Sequence, residues 1–181
     1  MRREYTSLGL MSGTSADGVD ASIILSNGVD KYEVIIERFY EYDKEIKVNI
    51  HSLKQKIHNK THIKKLSKDL KDLERKITIF HAKAIEDLSS DNEVNIIGFH
   101  GQTIYHNSGE KISYQLGDAK LLSQLSKKDI VYNFRQNDID NGGEGAPLTP
   151  IFHQLIASKL KLELPLCVLN IGGISNVTII K

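Results

Sequence analysis

The sequence predicts an α/β fold, a mixed β-sheet flanked by helices, and three observations carry that reading. Short apolar segments separated by tight polar turns open the chain, a long stretch of helical periodicity follows, and apolar runs then alternate with short helical patterns. At 181 residues the chain is long enough for one domain with a proper core and short for two.

Tyr5 to Met11 is apolar, Ser12 to Gly18 small and polar, and Val19 to Leu25 apolar again, which is a hairpin pattern. Asn27-Gly28 is a second turn signal, and Tyr32 to Tyr40 continues as a third antiparallel strand. From Asp43 to Leu88 apolar residues recur at helical spacing, as in Leu66, Leu70, Leu73, Ile77, Phe80 and Ala84, predicting helix in two pieces broken near Asn59 to His62. Val94 to Phe99 lacks alternation and reads as a strand covered on both faces, ending at His100-Gly101-Gln102. A helix from Asp118 to about Leu125, a strand from Asp129 to Phe134, a Gly-rich loop from Asp140 to Gly145 and a helix from Pro147 to about Lys161 follow. That order matches the ribonuclease-H-like core shared by actin, hexokinase and the heat-shock ATPases. Leu166 to Ile171 and Ser175 to Ile180 then repeat the opening hairpin around Gly172-Gly173. The expected division is a first domain over residues 1–163 and the first hairpin of a second domain over residues 164–181.

Composition excludes several classes. The 24 Lys plus Arg against 23 Asp plus Glu give a net charge of +1, so the overall balance offers no case for a nucleic-acid partner. The Lys-rich stretch Lys54 to Lys76 is interrupted by Asp69, Asp72 and Glu74 and reads as a solvated helix face. No run of about 18 apolar residues exists to span a bilayer, and the start lacks the apolar run of a signal peptide. Cys167 is the only cysteine, which rules out an intramolecular disulfide and makes a reducing cytoplasm the simplest setting.

The richest chemistry lies in the turn from Gly9 to Asp20. Its glycines let the backbone approach an anion, adjacent N–H groups can converge, and Ser12, Thr14 and Ser15 add donors. Phosphate rewards this arrangement best, and Asp17 would then require a cation, a hydrated Mg²⁺, between itself and the phosphate. Taken alone, a Gly/Ser-rich hairpin is weak evidence and also reads as an ordinary polar turn, and it is not a Walker A loop because no Gly-Lys-Ser/Thr follows. Arg135 with Asp138 and the loop Gly142 to Gly145 form a second candidate, suited to a ligand or to bracing a connection. His100 and His106 lack a third ligand for a metal and are expected to orient a loop or touch a sugar.

Five segments, GLMSGTSADGVDAS (9–22), IIGFHGQTIYH (96–106), QLGD (115–118), NFRQNDIDNGGEGAPLTPIFH (133–153) and LNIGGISNVTII (169–180), give the sequence its resemblance to the anhydro-N-acetylmuramic acid kinase family. The matches are in order over nearly the whole chain; only Asp43 to Leu88 matches weakly. The resemblance implies the first domain of an actin-like two-domain enzyme of peptidoglycan recycling, working in the bacterial cytoplasm. Such enzymes hydrolyse the 1,6-anhydro bond of anhydro-N-acetylmuramic acid while transferring the ATP γ-phosphoryl to O6. It implies ATP contact by Gly13, Thr14, Ser15, Ala16, Asp17, Gly18, Val19 and Asp20, and by Gly172 and Gly173 in a second phosphate turn, with Mg²⁺ at Asp17. It places His100, Gln102, Arg135 and Asp138 at the sugar, Arg135 suited to pair bidentately with the lactyl carboxylate.

Three residues depart from the family pattern: Asn133 where Asp is usual, Asp140 where a small residue is usual, and Glu144 where Gln is usual. The resemblance also puts the family's general-base aspartate and adenine pocket beyond Lys181. These 181 residues are therefore expected to have little or no kinase activity alone. A separate chain supplying the second domain, or self-association through the last two strands, would complete them; a non-catalytic remnant that keeps weak phosphate or sugar binding is the alternative.

Overall fold

Alternation along the first strands decides which way the sheet faces. In β1 (Tyr5–Ser12), Leu8, Leu10 and Ser12 are buried, and across the hairpin in β2 (Gly18–Ser26), Val19, Ala21 and Ile23 are buried beside them. The hairpin is antiparallel with Gly9 opposite Ser22 and Met11 opposite Asp20. The next turn forms because the Asn27 side-chain oxygen accepts the N–H groups of Val29, Asp30 and Lys31. It leads into the antiparallel edge strand β3 (Tyr32–Glu41). These elements are described by a computed structural model covering residues 3–171 and 175–181.

The helical stretch forms three helices rather than two. Asp43 caps α1 (Lys44–Lys56) by accepting the Ile46 N–H at 2.8 Å. Asn59 caps the short α2 (Lys60–Lys65), and α3 (Ser67–Ser89) follows at Leu66. Their apolar stripes, with Ile46, Ile50 and Leu53 on α1 and Leu70, Leu73, Ile77, Ile85 and Leu88 on α3, join the buried face of the sheet in one core.

β4 (Ile96–Asn107) runs parallel to β1. It continues well past His100, where the sequence suggests a stop. Gly101 adopts φ +71°, and the register against β1 slips between Leu10–Phe99 and Ser12–Gln102. The glycine thus makes a bulge instead of an end. Beyond it β4 pairs with β5 (Ile112–Leu116), an element not anticipated. Asp118 caps α4 (Ala119–Ser126), and β6 (Asp129–Tyr132) pairs in parallel with the first half of β4. The strand order is β3-β2-β1-β4, with β5 and β6 sharing β4.

A further helix, α5 (Phe134–Asp140), occupies sequence expected to be strand end and loop. α6 (Pro150–Lys159) starts three residues later than expected, with Pro150 rather than Pro147 at its first turn. β7 (Leu166–Asn170) and β8 (Asn176–Ile180) form a separate two-stranded sheet. Its link to α6 includes His153 Nδ1 and Thr178 Oγ1 at 2.8 Å.

No residue of β4 is exposed: Ile97 and Phe99 on the inner face are buried, while Ile96, Gly98 and His100 on the outer face are half-buried, so the second face, expected to be closed, is closed in part. Gly98, Gly9 and Ser22 lie side by side on three adjacent strands of the outer face. Having so little side chain there, they leave a cavity of about 840 Å³, bordered by Phe39, Phe134 and Phe152.

Candidate functional site

The turn joining β1 to β2 is tied down from several elements. Ala16 N–H donates to the Gly13 carbonyl at 3.2 Å, and Tyr42 N–H donates to the Asp17 carbonyl at 2.9 Å. Gln102 Nε2, from β4, reaches the Gly13 carbonyl at 2.9 Å, and Lys54 Nζ, from α1, reaches the Thr14 carbonyl at 2.7 Å. Beneath the turn, Ser12 Oγ lies 2.7 Å from Tyr42 Oη and 3.5 Å from His81 Nε2, all three buried. The His81 Nδ1 donates to the Ile77 carbonyl at 2.8 Å, and complete burial holds the imidazole at about 4, neutral. Burial also pushes the Tyr42 hydroxyl well above its ordinary value, so it stays protonated and able to donate.

The eight-residue segment divides by exposure. Ala16, Gly18 and Val19 are buried and serve the turn's shape, whereas Gly13 is half-buried and Thr14, Ser15 and Asp17 are exposed. Ser15 Oγ donates to Asp17 Oδ1 at 2.7 Å. Asp20 lies on the outer face of the sheet, in the larger cavity beside Met11. Gly18 has no room for a side chain, since a Cβ there would stand 2.2 Å from the Tyr40 carbonyl oxygen.

The bulge at Gly101 sends its two neighbours to opposite sides. Gln102 turns inward beneath the turn with none of its surface exposed, and its side-chain oxygen has no partner among the described residues. His100 turns outward, where its Nε2 accepts from Arg135 Nε at 2.8 Å. The Nδ1 therefore carries the proton and donates to the Gly101 carbonyl at 2.7 Å. Burial first and the Arg135 charge second hold His100 down at about 4. A neutral histidine is thus fixed as an acceptor that aims the arginine. Arg135 also donates from a terminal nitrogen to the Gly145 carbonyl at 2.8 Å, leaving further N–H groups for a ligand.

Asp138 does not pair with Arg135. Its Oδ2 accepts the Gly145 N–H at 2.8 Å, and Gly143 packs so closely that a Cβ there would lie 2.1 Å from that oxygen. The carboxylate therefore shapes the Gly-rich loop. Gln136 Nε2 donates to Asp140 at 2.7 Å. Asn133 sits at φ +63°, a conformation asparagine tolerates better than most residues. Neither it nor Asp140 nor Glu144 lines the cleft described next.

Of the expected site residues, Gly13, Thr14 and Arg135 meet at one cleft of about 280 Å³, which Ser15, Asp17, Asp20, His100, Gln102 and Asp138 do not line. Gly13 and Thr14 form one wall, Arg135 and the 146–149 stretch another, and Thr103 and His106 the strand side. Asn170 at the end of β7 and Asn176 at the start of β8 close it. Gly172 and Gly173, expected as a second phosphate contact, lie outside the described residues. Of the residues sequence reasoning missed, Thr103, the 146–149 stretch, Asn170 and Asn176 all fall inside the matching segments, which was a usable signal. Lys54 carried none, because it lies in the Lys-rich stretch that otherwise forms an exposed helix face. Among the described residues no three His, Cys, Asp or Glu side chains gather to hold a metal ion, and no helix is long and apolar enough to cross a membrane.

Comparison with known proteins adds independent findings. Residues 5–181 match the family model described as anhydro-N-acetylmuramic acid kinase. The anhydro-N-acetylmuramic acid kinase of Pelagibacter ubique (strain HTCC1062) is 56% identical over 182 residues, covering 99% of this chain and 48% of that protein. Proteins of the same name from Gluconobacter oxydans (strain 621H) and Rhodopseudomonas palustris (strain ATCC BAA-98 / CGA009) are 40% and 37% identical, covering 47% and 49% of their own lengths. The chain spans about half the length of the curated relatives it matches.

Proposed function

On the premise that this chain belongs to the anhydro-N-acetylmuramic acid kinase family, we propose that it forms the phosphate- and sugar-facing part of an ATP-dependent kinase. That kinase opens the 1,6-anhydro bond of anhydro-N-acetylmuramic acid and phosphorylates O6, giving N-acetylmuramic acid 6-phosphate in the cytoplasm. In the balanced reaction a water oxygen bonds to C1 and gives up one proton, the C1–O6 bond breaks, and O6 takes the γ-phosphoryl group as ADP leaves. The observation that carries the reading is the single cleft bringing the Gly13–Thr14 turn, Arg135 and the flanks of the last hairpin together. Phosphoryl transfer depends mainly on such positioning and on charge stabilisation.

Each group has a role consistent with its surroundings. The exposed Thr14 and Ser15 offer donors to phosphate, with Gly172 and Gly173 as the second contact. Arg135, aimed by His100, meets the lactyl carboxylate. Asp138 holds the loop beside it, and Gln102 acts through the turn. Asp17, whose second carboxylate oxygen is free of Ser15, is the residue that would hold Mg²⁺ together with the phosphates. The bound ion would neutralise phosphate charge. The strand order supports a ribonuclease-H-like first domain over residues 1–163, with residues 164–181 opening a second.

These 181 residues by themselves are proposed not to turn over. The hairpin β7–β8 leaves Leu169, Val177 and Ile179 more than half exposed, an apolar surface open to further packing. The test is an NMR titration of the chain with Mg²⁺-ATP and with anhydro-N-acetylmuramic acid, alongside an ADP assay. Shifts at Thr14, Ser15 and Arg135 without sugar-dependent ADP release are expected. Shifts confined elsewhere would overturn the site, and sustained sugar-dependent ADP release would overturn the inactivity.

A further inference from the structure

Two carbonyls of the anion turn are held from behind by side chains of two other elements, β4 and α1. Gln102 Nε2 donates to Gly13 O and Lys54 Nζ to Thr14 O. In a trans peptide the carbonyl of one residue and the N–H of the next point in opposite directions. Drawing Gly13 O toward β4 therefore turns the Thr14 N–H away from β4. Drawing Thr14 O toward α1 does the same for the Ser15 N–H. Among the described residues neither N–H has a hydrogen-bond partner, so two adjacent donors are left free, as an anion-binding turn requires.

Lys54 adds a second observation. Its ammonium is half-buried at the end of α1, yet no carboxylate pairs with it among the described residues; the three ion pairs there join Arg38 to Asp87, Lys47 to Glu41 and Lys76 to Glu45. A partly desolvated cation whose hydrogen-bond partner is a neutral carbonyl carries an unneutralised charge beside the turn. Every other lysine from Lys56 to Lys76 is exposed.

We propose that Lys54 is a positioning residue of the phosphate site: it fixes the Thr14–Ser15 peptide so that its N–H meets phosphate, and its charge raises the turn's affinity for polyanions. Gln102 fixes the preceding peptide in the same sense. The inference rests on the reading of the turn as a phosphate site.

The experiment titrates the chain with Mg²⁺ and inorganic tripolyphosphate, following the Thr14 and Ser15 amide resonances. Lys54→Met is expected to weaken binding about tenfold, the effect of losing one charge-assisted hydrogen bond. Lys54→Arg, which keeps charge and donor, should stay within about threefold of the unaltered chain, and Lys54→Gln, which keeps only a donor, should fall between. Should Lys54→Met not fold, the Gln and Arg variants make the same comparison. Equal affinity across the series overturns the role of Lys54 and leaves the phosphate reading standing. Absence of any tripolyphosphate response in the unaltered chain overturns both.

Discussion

Arg135 donates through Nε to Nε2 of His100 at 2.8 Å, so the histidine must carry its proton on Nδ1 and serve as an acceptor. The pair fixes the guanidinium without neutralising it, which a carboxylate partner would do. Replacing His100 by Phe leaves a partly buried Arg N–H unpaired and is expected to cost about 1–3 kcal/mol. Replacing it by Gln supplies another acceptor and should cost less than half as much. Urea unfolding of the two variants at pH 7 checks this, and equal losses would argue against the hydrogen bond.

The same histidine makes stability pH-dependent. His100 and His81 are both held at about 4, below the ordinary histidine value near 6.5. Between those values the unfolded chain binds protons that the folded chain refuses, so the stability present above about pH 6.5 is lost as pH falls toward 4. Each histidine contributes a slope of about 1.4 kcal/mol per pH unit in that window. The urea midpoint should fall steadily from pH 6.5 to pH 4.5. Burial and the Arg135 charge push His106 the same way, so His100→Gln should lower the slope by about 1.4 kcal/mol per pH unit without abolishing it, and an unchanged slope would show that His100 does not titrate this way.

What the sequence made legible follows from the range of the forces involved. The β1–β2 hairpin, β3 and α3 rest on local patterns, a turn residue or a helical stripe, and those appear in the chain as written. β5 escaped notice because Ile112 to Leu116 is short and only Ser113 and Leu116 are buried. α5 escaped because FRQNDID is poor in helix formers and buries only Ile139. Gly101 was misleading for a physical reason: glycine ends strands and also bulges them, and which occurs depends on the partner strand. At the site, residue types pointed to the turn and to Arg135, but the contacts from Lys54 and Gln102 arise from tertiary packing and have no local signature.

The bulge gives its own prediction. At Gly101 φ is +71°, and a Cβ would stand 2.5 Å from the Leu116 carbonyl oxygen. Gly101→Ala therefore combines left-handed strain with a backbone clash, and a loss of more than about 2 kcal/mol is expected. Because the bulge points Gln102 beneath the turn, the Thr14 amide should also shift in the variant. A stable variant with unmoved turn resonances would show that the bulge is dispensable.

Asp138 is expected to act on its loop before it acts on any ligand. Its Oδ2 holds the Gly145 N–H at 2.8 Å. Asp138→Ala should cost about 1–3 kcal/mol and raise hydrogen exchange at the Gly145 amide, while Asp138→Asn keeps an acceptor and should retain about half the protection. Unchanged exchange at Gly145 in the alanine variant would remove this role.

The buried hydroxyl pair under the anion turn offers the most local test of how the turn is supported. Ser12 Oγ and Tyr42 Oη lie 2.7 Å apart with His81 Nε2 at 3.5 Å, so losing the tyrosine hydroxyl leaves Ser12 with one long contact. Tyr42→Phe is expected to cost about 1–2 kcal/mol, as is Ser12→Ala. If the two hydroxyls bond to each other, the double variant should cost less than the sum of the two, with a coupling of about 1 kcal/mol. The Tyr42 N–H also donates to the Asp17 carbonyl at 2.9 Å, so its displacement should register in the Gly18 amide on the far side of that peptide. Strict additivity in urea unfolding, with the Gly18 resonance unmoved, would mean that the pair supports the core without bracing the turn.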